Sequence, residues 1–191
     1  MELDLALDRE GVTLQPSDHP DLLAESIWSR RLNQWIEAIS NDAALACPGL
    51  VQEAEEVSLG LRFTDDTTIA ELNNTWRQKT GPTDVLSFAA LEEAEDWIGG
   101  PCLELGDIVV SVDTARRQAS DHQHSLEHEL RWLVSHGLLH LLGWDHPDEM
   151  SLNSMLALQE QLLGIDQRCS PGKVRIPGAR PADAENGSDD S

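Results

Sequence analysis

Residues 125–146 read SLEHELRWLVSHGLLHLLGWDH. Leu126, Leu130, Leu133, Val134, Leu138 and Leu141 recur at helical spacing, which predicts a helix over 125–142 with one face in the core. Three of the chain's seven histidines, His136, His140 and His146, lie at its end. His136 and His140 stand four residues apart, hence about 40° apart in azimuth and one turn in height. Two imidazoles so placed can share one tetrahedral ion. Gly143 stops the helix and permits a left-handed turn, so the chain doubles back and His146 can supply a third ligand. Three neutral imidazoles leave a fourth position open for water, as in catalytic zinc sites. Such an ion lowers the pKa of bound water and polarises a carbonyl or phosphoryl oxygen. The competing reading has His136 and His140 as ordinary half-exposed residues on the helix flank. The glycine stop and the third histidine favour ligands. Asp145 either orients an imidazole or serves the turn.

The same histidine spacing marks the metal helix of zinc proteases, where a Glu follows the first His and takes a proton from water. Here Gly137 stands in that place. A peptide leaving group needs general acid help, so a peptidase with this gap is badly equipped. A phosphodiester is less demanding if cations stabilise the charge at phosphorus. The stretch NNTWRQKTGPTDVLSF, residues 73–88, offers such cations. Arg77 can hold a phosphate with its planar fork and Lys79 can add a point charge. Alternatively both are helix C-terminal cations favoured by the dipole. Arg116, Arg117 and Arg131 are further candidates for a basic groove, although their acidic neighbours suit solvated charges. His19, His122, His124 and His128 fall on polar ground and read as surface residues.

Working outward, alternating patterns predict strands over 2–8 and 57–63, and 85–91 and 102–111 are further strand candidates, the last being the longest. Helical patterns cover 25–45, 64–78, 112–122 and 148–164 besides the metal helix. Residues 17–22 form a turn into the first helix, with Ser17 or Asp18 available as a cap. Gly81-Pro82 marks a loop over 79–84, and 91–101 is an acidic loop. Strands interleaved with helices indicate an α/β (α+β) fold. The expected architecture is a small mixed four-stranded sheet packed against about five helices, with strands not necessarily in chain order. Residues 1–167 are expected to form one domain. From about Arg168 the composition turns to Pro, Gly, Ser, Ala and acids, so 168–191 is expected to be a disordered tail.

Composition bounds the function. The 191 residues carry 13 Lys and Arg against 35 Asp and Glu, a net charge of −22. Taken alone this argues against tight nucleic-acid binding, unless the few cations gather near the metal site. Cys47, Cys102 and Cys169 are unpaired by spacing, which fits a reducing compartment. No run of eighteen apolar residues suggests a membrane span. The acidic N-terminus resembles neither a secretory signal nor a transit peptide. A cytoplasmic protein without membrane contact is expected.

Three segments carry a family resemblance: NNTWRQKTGPTDVLSF (73–88), LGDIVVS (105–111) and HGLLHLLGWDH (136–146). With the element order, the chain resembles the YbeY family of rRNA maturation factors, metal-dependent endoribonucleases, over roughly residues 1–165. The Gly after the first His separates this signature from the zinc proteases. The resemblance implies one Zn2+ ion per chain held by His136, His140 and His146. It makes Arg77 the cleft cation on which activity depends. It implies single-strand-specific cleavage in maturation of the 16S rRNA 3′ region and in ribosome quality control. Small-subunit ribosomal proteins and an assembly GTPase are the implied partners. The expected mechanism has metal-bound water or hydroxide attacking the phosphodiester while Arg77 stabilises the phosphate. Two other readings are a metal-dependent hydrolase of a small molecule and a non-catalytic assembly factor with a structural zinc.

Overall fold

The computed structural model describes residues 1–42, 45–91 and 102–167. The expected acidic loop, beyond Leu91, and the expected tail over 168–191 lie outside the described residues, as does Cys169. In chain order the elements are β1 (Glu2–Asp8), α1 (Glu25–Asn41), α2 (Gly49–Glu53), β2 (Glu56–Thr64) and α3 (Asp66–Arg77). There follow β3 (Val85–Ala89), β4 (Cys102–Ser111), α4 (Val112–Asp121), α5 (Leu126–Leu141) and α6 (Glu149–Gln167).

The four strands form one mixed sheet in the order β1-β2-β4-β3. β1, β2 and β4 run parallel, and β3 pairs antiparallel with β4 at the far edge. The expected α/β class and four-stranded mixed sheet are therefore what the chain adopts. The helices number six among the described residues rather than about five, because the short α2 has no periodicity long enough to read. α1 begins at Glu25 with Ala24 in the cap position, so neither Ser17 nor Asp18 caps it. Residues 16–23 form turns instead, and Asp18 accepts a hydrogen bond from the Gln15 amide at 2.7 Å.

Alternation divides the sheet into two faces. Val57, Leu59, Leu61 and Phe63 of β2, with Ile108 and Val110 of β4, join the main core. That core takes in α1, α4, α5 and α6, and Trp28 of α1 packs on Phe63 with ring centroids 5.2 Å apart. The other face carries a smaller cluster of Ile69 from α3, Leu86 from β3 and Val109 from β4. β4 is thus covered on both sides over Ile108–Val110, its continuous apolar run, while Glu104 and Asp107 stay exposed. The two core tryptophans satisfy their indole N–H groups. Trp28 donates to the Leu22 carbonyl and Trp35 to the Leu162 carbonyl, each at 2.9 Å.

A bulge interrupts β4. Ser58 faces Glu104 while Leu59 faces Gly106, leaving Leu105 unpaired. Gly106 takes φ +118°, and a Cβ there would lie 2.0 Å from the Phe88 carbonyl oxygen. The close approach of β3 to β4 needs a glycine at this position. α5 runs across β3 and β4 on the main-core face, buried on almost all sides. No helix among the described residues is long and apolar enough to cross a membrane.

Candidate metal centre

α5 presents the site. Ser125 caps its start, the hydroxyl accepting from the His128 amide at 3.1 Å. At its end the Gly143 amide donates to the His140 carbonyl at 3.0 Å and the Trp144 amide to the Leu139 carbonyl at 2.9 Å. With Gly143 at φ +83°, this is a Schellman termination. Trp144 then anchors the turn by donating its indole N–H to the Ala46 carbonyl at 2.9 Å. The reversal brings His146 back over the helix.

The three histidines converge. Nε2 of His136 lies 3.1 Å from Nε2 of His140. Ring centroids are 4.7 Å apart for His136 and His140, 5.5 Å for His136 and His146, and 5.2 Å for His140 and His146. One nitrogen from each lies within 4.8 Å of the other two, so the trio could hold a metal ion. Burial pulls the His136 and His140 pKa values down, reinforced by the neighbouring imidazoles. Both rings are therefore neutral near pH 7, the form that ligates metal.

The ring of His136 is set by a residue that sequence reading missed. Its Nδ1 donates to Oε1 of Gln159, on α6, at 3.2 Å. The buried Gln159 in turn donates Nε2 to the Trp132 carbonyl at 3.1 Å and towards the Ser135 hydroxyl at 3.4 Å. This fixes the amide orientation and the imidazole tautomer, leaving Nε2 of His136 free for a ligand role. No motif marks Gln159; only the packing of α6 on α5 reveals it. Asp145 proves to be a turn residue, its carboxylate accepting the His146 amide at 2.8 Å, although it also bears electrostatically on His140.

Gly137 answers to packing. A Cβ at this position would lie 2.8 Å from Cγ2 of Ile108 and 3.2 Å from the Ser87 hydroxyl. The helix sits too close to β3 and β4 to carry the protease glutamate.

A cleft of about 610 Å³ opens over the histidines, lined also by Arg77, Asp84, Ser87, Trp144 and Asp145. Arg77 reaches it from the exposed last turn of α3. Gln78 ends that helix in the left-handed region at φ 54°, and Asn73 donates to the Gly81 carbonyl at 3.0 Å, closing the loop. Asp84 is held rigidly, accepting from the Val85 amide at 2.8 Å and from Gln118 at 3.0 Å. Lys79 does not line the cleft.

The other basic candidates are engaged elsewhere, although Arg117 remains solvent-exposed as its acidic neighbours suggested. Arg116 forks onto Asp18 at 2.9 Å for both bonds. Arg117 pairs with Asp66 at 2.8 Å. Arg131 is buried and donates to the Leu163 carbonyl at 2.6 Å. Arg77 is the only Lys or Arg lining the cleft among the described residues. Of the histidines read as surface residues, His19 is exposed, but His124 and His128 are half-buried beside Glu129. Cys47 and Cys102 are free thiols away from the cleft.

Comparison with known proteins shows what the chain is similar to. The family model described as Endoribonuclease YbeY matches residues 23–165. A protein of Synechococcus sp. (strain CC9605), named Endoribonuclease YbeY, is 69% identical over 164 residues, covering 86% of this chain and 99% of that relative. One of Synechococcus sp. (strain CC9902), with the same name, is 58% identical over 185 residues, covering 97% and 100%. The solution structure of a Thermotoga maritima protein covers 93% of this chain and all of its own at TM-score 0.55 and 24% identity, a likeness of fold.

Proposed function

The chain belongs to the Endoribonuclease YbeY family, and from that premise we propose that it is a zinc-dependent endoribonuclease that cuts single-stranded RNA. Its proposed substrate is the 3′ region of 16S rRNA in the cytoplasm, where it serves maturation and quality control of the small subunit. The observation that carries this reading is the convergence of His136, His140 and His146 in an open cleft with Arg77 on its wall.

The donor set fits the ion. Three neutral imidazoles suit zinc and its borderline-soft neighbours. The 3.1 Å between the His136 and His140 nitrogens is close to the roughly 3.3 Å edge of a tetrahedral zinc site. Among the described residues the histidine group has no fourth protein ligand, which supports an open, catalytic position over a structural one. An ion held there supplies Lewis acidity, easing ionisation of water and polarising a phosphoryl oxygen.

The chain's own residues do the rest. Gln159 holds His136 in the ligating tautomer. Arg77 forks onto the scissile phosphate and stabilises the charge that gathers on its oxygens at the transition state. The fixed Asp84 carboxylate, on the cleft wall, favours positive charge beside His136. With a single cation in the cleft, free RNA is held weakly. Small-subunit ribosomal proteins, with an assembly GTPase, supply the positioning that the acidic chain lacks.

The test is incubation of zinc-loaded protein with naked single-stranded RNA and, separately, with immature small subunits, followed by mapping of new 3′ ends. Cleavage at the 16S 3′ region by the parent, absent with His140→Ala, is the expected result. Identical ends with the variant would remove the metal trio from the chemistry.

A further inference from the structure

α4 and α5 are joined by a tight turn from His122 to Ser125. Gln123 takes φ 60° within it, and this reversal sets the rings of His122 and His124 side by side, centroids 5.5 Å apart and 24° between planes. Glu129, from the start of α5, reaches back to them. Its Oε2 lies 2.8 Å from Nε2 of His124 and 3.8 Å from Nδ1 of His122. One ligand atom from each of the three lies within 4.8 Å of the other two. His128 closes the far side, its ring edge-on to His124 at 4.6 Å.

The electrostatics of this cluster are unbalanced. The Glu129 side chain is only 5% exposed, and its ion-pair partners among the described residues are the two imidazoles. Burial raises its pKa while His122 opposes the rise. Burial also lowers the pKa of His124 and of His128, so these rings are neutral near pH 7. The buried Glu129 carboxylate thus faces the neutral imidazole of His124, whose Nδ1 is buried without a hydrogen-bond partner. Two imidazoles and one carboxylate are a zinc-type donor set, unlike the all-oxygen shells that magnesium and calcium take. The spacing needs little adjustment. Ligand atoms around a tetrahedral zinc stand about 3.3 Å apart, and His122, at 65% exposure, is free to swing inward.

We propose that His122, His124 and Glu129 form a second metal site, separate from the cleft, that takes a divalent transition ion such as Zn2+ or Co2+ and pins the α4–α5 turn. Glu129 and His136 stand seven residues apart on α5, two turns and about 10.5 Å along one helix face. Asp84 bears electrostatically on both, so the cluster adjoins the cleft without sharing a ligand with it. An ion there fixes the start of the helix whose later turns present His136 and His140.

The test is titration of chelator-stripped protein with Co2+, read by visible absorption and by elemental analysis after desalting. The parent binds two equivalents, and His140→Ala and His122→Ala each bind one. His122 is exposed, so its replacement spares the fold. In the His140→Ala background Co2+ raises the thermal midpoint, and adding His122→Ala or Glu129→Gln abolishes that rise. One equivalent in the parent and none in His140→Ala overturns the second site. One equivalent in each of these instead leaves the second site standing and removes the cleft ion, so the two readings fail separately.

Discussion

The side-chain oxygen of Gln159 accepts the Nδ1 proton of His136 at 3.2 Å, tying α6 to the ring on which the cleft trio depends. Partners of this kind typically carry about 10- to 100-fold in metal affinity. Gln159→Leu is therefore expected to weaken zinc binding by that factor, measured by competition with a chromophoric chelator. It also removes the buried Gln159 bonds to the Trp132 carbonyl and the Ser135 hydroxyl and so lowers the thermal midpoint. Gln159→Glu keeps an acceptor for His136 and restores the affinity without restoring stability. Equal affinity in parent and Gln159→Leu contradicts the positioning role.

Gly137 sits where an added methyl meets Ile108 and Ser87. Helix propensity alone would make Gly137→Ala stabilising by up to about 1 kcal/mol. The overlap with β4 is expected to reverse the sign, for a net loss of about 1–3 kcal/mol by urea denaturation. Ile108→Ala removes the obstructing methyl, so the double variant should lose less than the sum of the single changes. A gain in stability from Gly137→Ala alone contradicts the close approach.

Arg77 is exposed and has no structural partner among the described residues, so Arg77→Glu should leave the zinc content and the melting curve unchanged. Cleavage of single-stranded RNA should fall by about 100-fold or more, the scale of losing one transition-state charge partner. With one cation in the cleft, RNA affinity should fall with salt at a log–log slope near −0.7, the value for about one neutralised phosphate on a single strand. Parent-rate cleavage by the variant, or a several-fold steeper slope, places the phosphate contacts elsewhere.

The Asp18–Arg116 fork fastens the β1–α1 connection to α4. The Arg116 guanidinium beside Asp18 holds its carboxyl below the usual range. A depressed carboxyl pKa gives stability that is present above the unfolded value, about 4, and is lost as pH falls through the folded one. Asp18→Asn should cost about 1.5–3 kcal/mol at pH 7. The gap between parent and variant should narrow steadily as pH falls below about 4. A gap that persists undiminished into that range contradicts the assignment.

The ligand trio was legible because its signals are local. An i, i+4 pair on an apolar helix, a glycine stop and a third histidine three residues on are read from one short segment, and α5 ends as that pattern requires. The four strands were legible as short apolar segments, two of them alternating, but the β4 bulge at Leu105 was not, since it depends on how closely β3 approaches Gly106. Distance along the chain hid the rest. Gln159 lies 23 residues from His136, and Arg116 lies 98 residues from Asp18. Sequence pattern gives neither pairing, so Arg116 read as a free cation. The half-buried His124 read as surface because Glu129 reaches it only through the turn that Gln123 makes.

The central claim is an ion held by three imidazoles with one corner facing the cleft. Anomalous diffraction at the zinc edge from crystals of the zinc-loaded protein tests it most directly. The account predicts a peak about 2.0–2.1 Å from one nitrogen each of His136, His140 and His146, with its remaining position on the Arg77 side and no peak there in His140→Ala. Zinc-loaded crystals with no density among those rings, or with a fourth protein ligand closing the shell, would contradict it.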